Sequence, residues 1–328
     1  MSEPMRKADF PLGFRIAGSA RGGDRRLVEY DRAFAAYAAC DDAADVSGES
    51  YLSPFQYADN IRERVIDDGG RLDVSGFDGP VWSSFLWFDI DRDGDIPTAT
   101  DDARNLAALL VDRYDLNDGD LLLFFSGSKG YHLGLPMSLF DAVPSTAFDV
   151  TSRTIAEALA ASVGVVIDPA IYQKVQPLRA PNSRHGKTGR HKRFLTFDEL
   201  MGVRPDAIVD RAAEPLPFEI PDAPAAVDHA AADWRAAERR ARTQAEAVRV
   251  EAAERTELNR STIDFIRDGA DDGERQRRLY SAAANVRELG GPLRLAVALL
   301  NEPALDVGLP PGEIHRTIKS AYRRGGAA

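Results

Sequence analysis

Between residues 82 and 168 short apolar runs alternate with longer helix-like stretches, and this order restricts the available folds more than any other feature of the chain. WSSFLWFDI at 82–90 is aromatic and apolar, which reads as a strand. Thr98 and Thr100 with Asp101-Asp102 form a helix start, and LAALLVDRY carries that helix to about 114. DLLLFF at 120–125 is a second strand, GSKG a tight turn, and YHLGLP a third strand from 131. Residues 145–163 read as a Ser-capped helix and VVID at 165–168 as a fourth strand. The order β-α-β-β-α-β is that of a ferredoxin-like or RRM-like split unit, an α+β arrangement.

The flanks suggest further pieces. Residues 26–69 read as helical, with Tyr51-Leu52-Ser53-Pro54 breaking them before a second helix near 55–67; they belong to an N-terminal α/β portion. RFLTF at 193–197 is one more short strand, and the Pro-, Ala- and Asp-rich residues 203–228 read as a boundary. Residues 230–257, rich in Ala, Arg and Glu, form one long exposed helix. A compact all-helical module follows from about 258, its last helix opening at Pro310-Pro311-Gly312-Glu313. The expected domains are therefore 1–220, a linker and helix at 221–257, and a small all-α domain at 258–328.

At 328 residues and 44% hydrophobic the chain has material for two or three domains with a substantial core. Its strongest apolar run, Leu121-Leu122-Leu123-Phe124-Phe125, is strand-sized and far short of the ~20 residues of a membrane span. MSEPMRKADF lacks the apolar centre of a secretory signal. A single cysteine, Cys40, excludes internal disulfides and Cys-rich zinc modules, so no zinc is expected. These features predict a cytoplasmic location. The net charge of −11 opposes nucleic-acid binding as a whole-molecule property. Residues 169–193, however, hold Lys174, Arg179, Arg184, Lys187, Arg190, Lys192 and Arg193 without one acidic residue, enough to draw an anion to one place.

The first apolar strand ends in FLWFDIDRDGD, where Asp89 and Asp91, two apart, leave the same face of a sheet. The spacing matches half of an EF-hand loop, but Thr100 stands where the bidentate glutamate belongs and a strand replaces the flanking helix. In a ferredoxin-like sheet the first strand lies between the third and fourth, whose residues His132 and Asp168 would join the two acids. Such an oxygen-rich patch suits two Mg²⁺ or Mn²⁺ ions and phosphoryl displacement. Asp93 and Asp95 read as solvated turn residues.

SGSKGYH at 126–132 offers glycines that turn backbone N–H groups toward an anion, two hydroxyls and a lysine. RHGKTG at 184–189 is not a P-loop, because proline occupies position 181, where a P-loop glycine is required. Of the other polar candidates, His185 and His191 read as phosphate contacts and His229 and His315 as solvated. Trp82 and Trp87 read as packing residues, and Phe265, Ile266, Leu279, Leu295 and Leu299 as core of the helical module.

Three motifs in this order, FDID (Asp89, Asp91), SGSKGYH (Ser126, Lys129, His132) and VVID (Asp168), resemble the archaeo-eukaryotic primase superfamily of primase-polymerases. LRAPNSRHGKTGRHKR resembles the Arg-Pro-Ser-Lys-Thr-Gly segment of prim-pols from plasmids, phages and mobile elements, and GERQRRLYSAAANVRELG…IHRTIKSAYRR resembles the primase C-terminal helical domain. The likeness covers about 80–200 and 268–324; residues 1–80 match loosely.

The resemblance implies a primase-polymerase core with a β-α-β-β-α-β palm and template-directed nucleotidyl transfer from NTPs or dNTPs on single-stranded DNA. Asp89, Asp91 and Asp168 would bind the metals, with His132 in the catalytic group. Ser126, Ser128, Lys129, His132 and Arg179 would hold the nucleotide. Arg179, Ser183, Arg184, Lys187, Arg190 and Lys192 would meet nucleic acid. A separately encoded helicase is an expected partner. Two departures are the absence of a zinc module and Gln276 where the helical domain usually carries Asn. The alternatives are a polymerase that only extends ends, a non-catalytic nucleic-acid-binding subunit and a calcium-binding structural protein.

Overall fold

A computed structural model describes residues 5–20, 23–254 and 257–323. The limits expected at 1 and 328, residues 255–256 of the expected long helix and Arg324 of the last helix lie outside the described residues. The chain divides into two compact units, 1–241 and 242–328. No helix among the described residues is long and apolar enough to cross a membrane.

The first unit is α+β, with two antiparallel sheets. Its strands are β1 (Leu12–Ala17), β2 (Arg25–Glu29), β3 (Ser50–Leu52), β4 (Gln56–Tyr57), β5 (Val81–Trp82), β6 (Phe85–Asp91), β7 (Leu122–Phe125), β8 (Gly130–Pro136), β9 (Leu178–Arg179) and β10 (Arg193–Leu195). Its helices are α1 (Tyr30–Ala39), α2 (Ile96–Tyr114), α3 (Phe148–Ser162), α4 (Phe197–Gly202), α5 (Pro205–Arg211) and the first half of α6 (Asp228–Glu254).

The first sheet is built around β1, with β2 on one side and both β3 and β4 on the other; β9 extends it beyond β3, and β5 beyond β4. Residues 26–69 are thus largely strand and 3-10 turn, and α1 is their one α-helix. The Ala-rich stretch 33–39 does turn as a helix. Arg25–Glu29 and Ser50–Leu52 are instead claimed by long-range pairing, which overrides weak local preference.

The second sheet runs β10-β7-β8-β6. The expected helix at 98–114 begins at Ile96, because Asp95 caps it by accepting from Thr98 N–H at 3.0 Å. The helix expected to be Ser-capped starts at Phe148 with Ala147 at the cap and no side-chain cap bond. Residues 165–168 do not form the fourth strand. The segment runs beside β6 and donates one backbone bond to it, Asp168 N–H to Asp89 O at 2.8 Å. Pro169 follows, which has no N–H to continue a ladder. The fourth place in the sheet goes to β10.

One face of this sheet meets α2 through Tyr131, whose hydroxyl lies 2.7 Å from Thr100 Oγ1. The other face carries Trp87, Phe124, Asp89 and His132. The Pro-rich stretch does not part the units. Phe218 stacks on Phe194 with centroids 4.7 Å apart, Val227 N–H reaches Leu139 O at 3.1 Å, and Trp234 of α6 is buried in the first core. His229, read as solvated, stacks on Tyr114 and lies 2.7 Å from Arg113 O.

The second unit holds the rest of α6 with α7 (Arg260–Asp268), α8 (Arg275–Glu288), α9 (Leu293–Asp306) and α10 (Pro311–Arg323). Asn259 caps α7 by accepting from Thr262 N–H at 2.8 Å. Phe265, Leu279, Val286, Leu300, Ile314 and Ile318 form its separate core; Leu295, expected there, is 43% exposed.

Candidate active site

The pairing of β6 with β8 sets Asp89 directly opposite His132 and Asp91 opposite Gly130, so the two acids and the imidazole share a face as the alternation predicts. Asp89 Oδ1 is buried without a hydrogen-bond donor; His132 Nε2 lies 3.4 Å away, out of hydrogen-bond alignment. Burial, and then the neighbouring Asp89 charge, push the Asp91 carboxyl above its usual range. Burial holds the His132 imidazole below its usual range, as does, to a lesser degree, the charge of Lys192. Asp168 caps the 3-10 turn Pro169–Tyr172 through Ala170 N–H, at 2.8 Å.

The turn between β7 and β8 is closed by backbone bonds. Ser126 N–H donates to Gly130 O at 2.8 Å, and Ser126 Oγ accepts from Gly130 N–H at 3.2 Å. Gly127 has φ 84°, and at Gly130 an added Cβ would fall 1.8 Å from Ile90 O, so both places require glycine. Lys129 Nζ pairs with Asp93 at 2.8 Å and with Asp91 at 3.2 Å. Asp93 and Asp95 are exposed beyond the strand end, as expected; Asp93 in addition pairs with Lys129, and Asp95 caps α2.

The first sheet supplies the other wall. β3 pairs with β9 and sets Tyr51 opposite Arg179. Arg179 lies over the Tyr51 ring at 4.8 Å, donates to its hydroxyl at 3.0 Å and pairs with Glu49 at 3.4 Å. Tyr51 in turn donates to Glu49 at 2.5 Å. Burial and this bond push the Tyr51 hydroxyl up to about 12. The loop 184–190 is tied to the turn by Thr188 Oγ1, which donates to Gly127 O at 2.6 Å.

Together these elements enclose a cavity of about 180 Å³. Its lining includes Asp89, Asp91, Asp168, His132, Ser126, Ser128, Lys129 and Arg179, with Tyr51, Gln176 and His185. A larger cavity of about 510 Å³, lined by Tyr30, Phe34, Trp82 and Phe85 among others, holds none of the expected site residues. The smaller one is where the acids and the expected phosphate-binding residues meet.

Two residues of the expected nucleic-acid strip are not on the surface. Ser183 is fully buried, its hydroxyl spent on Ser50 O and Ala180 O. Lys192 is 1% exposed, donates to Arg179 O at 2.8 Å and lies over the Trp87 and Phe124 rings. His191 is buried on Asn182 O, whereas His185 Nδ1 accepts from Lys187 N–H at 3.2 Å. Arg184, Lys187 and Arg190 remain on the solvent-facing loop. Lys174 spends its ammonium on the carbonyls of Asp78, Gly79 and Thr146. Glu49, Tyr51 and Gln176 carried no sequence signal, because GESYL and QKVQ belong to no recognisable motif.

The donor set fits a divalent cation in chemistry: hard carboxylates, one with an unpartnered buried oxygen and another destabilised by its neighbour's charge. Among the described residues, no three His, Cys, Asp or Glu side chains already stand in coordination geometry. Lys129 meets one oxygen of Asp91, and Ala170 N–H meets one oxygen of Asp168.

In sequence the chain matches no protein-family model and no curated protein. A solved structure described as the crystal structure of primase RepB′ superposes with a TM-score of 0.33 at 14% identity, covering 96% of this chain and 92% of that one. At that score neither residues nor activity transfer, and the functional reading rests on the cavity itself.

Proposed function

We propose that this chain is a metal-dependent nucleotidyltransferase of the primase-polymerase kind, which joins NTPs or dNTPs on a single-stranded DNA template. The carrying observation is that the acids Asp89, Asp91 and Asp168 line one cavity with the phosphate donors Ser126, Ser128, Lys129 and Arg179. The three carboxylates would hold Mg²⁺ or Mn²⁺, ions that when bound neutralise the attacking and leaving oxygens of an in-line displacement. Ser128 and Lys129 offer donors to the phosphates, and Arg179, braced by Glu49 and Tyr51, offers a planar fork. His132, whose imidazole burial keeps below its usual range, lines the same cavity beside Asp89. Lys187, Arg184 and Arg190 provide a short cationic edge for template phosphates, with little sequence readout.

The test is synthesis on unprimed single-stranded DNA with labelled NTPs or dNTPs, with Mg²⁺ and Mn²⁺ compared. The parent chain should make products. Asp89→Ala and Asp91→Ala should lose at least ~100-fold while keeping the parent circular dichroism. Products only from a primed template would identify an end-extending polymerase. DNA binding that survives chelation, with no incorporation on any template, would overturn the proposal in favour of a binding subunit.

A further inference from the structure

Among the described residues β6 has no ladder partner on its outer side, yet its outward carbonyls are engaged. Trp87 O accepts from the Tyr172 hydroxyl at 2.5 Å, Asp89 O from Asp168 N–H at 2.8 Å, and Asp91 O from Arg92 Nη1–H at 2.7 Å. The same Arg92 nitrogen also donates to Val166 O at 3.1 Å, across the gap that a fourth strand would fill. Its Nη2 pairs at 2.5 Å with Asp102 on α2, and both side chains are largely shielded, 23% and 18% exposed. One guanidinium therefore joins the end of β6, the 165–168 segment and α2.

We propose that Arg92, clamped by Asp102, is a positioning residue that takes the place of the absent strand pairing and holds Asp168 beside Asp89 and Asp91 for divalent-cation binding. This rests on the nucleotidyltransferase reading of the same acids. Without Arg92, Asp168 keeps one backbone bond to β6, on a segment whose next residue is proline. Arginine suits the task because one planar group reaches two carbonyls and a carboxylate, which a lysine ammonium on a flexible stem does less well.

Charge and position predict opposite signs here. Removing a cation near three carboxylates should by Coulomb attraction alone tighten binding of Mn²⁺. Loss of positioning should weaken it, as changes to residues behind metal ligands do by ~10–100-fold.

The experiment is a Mn²⁺ titration of the full chain followed by electron paramagnetic resonance, with amide hydrogen exchange over residues 165–172. Arg92→Met should bind Mn²⁺ about 10-fold more weakly than the parent, with Arg92→Lys between them. Exchange at the Asp168 amide should speed up. Arg92→Lys keeps the charge, so charge alone predicts no change there, and it decides the matter if Arg92→Met does not fold. Asp102→Asn, which frees the guanidinium from its clamp, should likewise speed exchange at the Asp168 amide. Equal or tighter Mn²⁺ binding in the folded Arg92 variants overturns the proposal. A parent that binds no Mn²⁺, or an Asp89→Ala variant that binds it as the parent does, overturns the nucleotidyltransferase reading as well.

Discussion

The Lys192 amine has almost no water around it and faces two aromatic rings and one carbonyl. Burial drives its pKa from 10.5 down to about 7, against the pull of Asp89. Between those values the unfolded chain binds the proton and the folded chain does not. The burial therefore costs most at or below pH 7, and stability recovers as pH rises toward 10.5. Lys192→Met, of similar length and without charge, should accordingly stabilise the protein more at pH 6 than at pH 9, as read from urea midpoints. An equal difference at both pH values would refute the depressed pKa. The basic stretch was legible in sequence as a cluster, but nothing local told a buried lysine from the exposed Lys187 three places past Arg184.

The SGSKG turn shows what an element can fix by itself. Its glycines mark a tight anion-facing turn in the sequence, and the structure adds the reason Gly130 is required, the approach of Ile90 O. Gly130→Ala should destabilise the fold by about 3 kcal/mol or more, visible as a lower denaturation midpoint and loss of cooperative unfolding. Thr188→Val should leave the fold nearly intact, costing about 1 kcal/mol for the lost bond to Gly127 O. Steady-state kinetics should then show KM for nucleotide rising several-fold with kcat little changed, because the loop no longer braces the turn. The segment 165–168 was the element least readable from sequence. VVID has a strand's composition, but Pro169 and the side chains of Arg92 and Tyr172 decide that β6 is sealed by single bonds instead.

Across the molecule, the two hydrophobic cores share no residue. Calorimetry of the full chain should therefore resolve two transitions, the smaller from the helical unit; one transition with equal van't Hoff and calorimetric enthalpies would contradict this. Proline content pointed to a divide near 203–228, yet those residues strap the first unit, and the division falls at 241/242 inside α6. Proline stops helices and ladders, which marks irregular chain. Whether irregular chain parts two bodies or wraps one depends on apolar residues such as Phe218 finding a surface.

The sequence by itself determined what depends on neighbours a few residues away: the strand and helix alternation of 82–162, the shared face of Asp89 and Asp91, the tight glycine turn and the helical nature of the second unit. The pleat and the helical repeat enforce these locally. Only the tertiary structure decided which cations face water, that Glu49 and Tyr51 brace Arg179, and that Arg92 stands in for a strand beside Asp168. Those outcomes are contacts between segments up to 130 residues apart in the chain, and no local period encodes them.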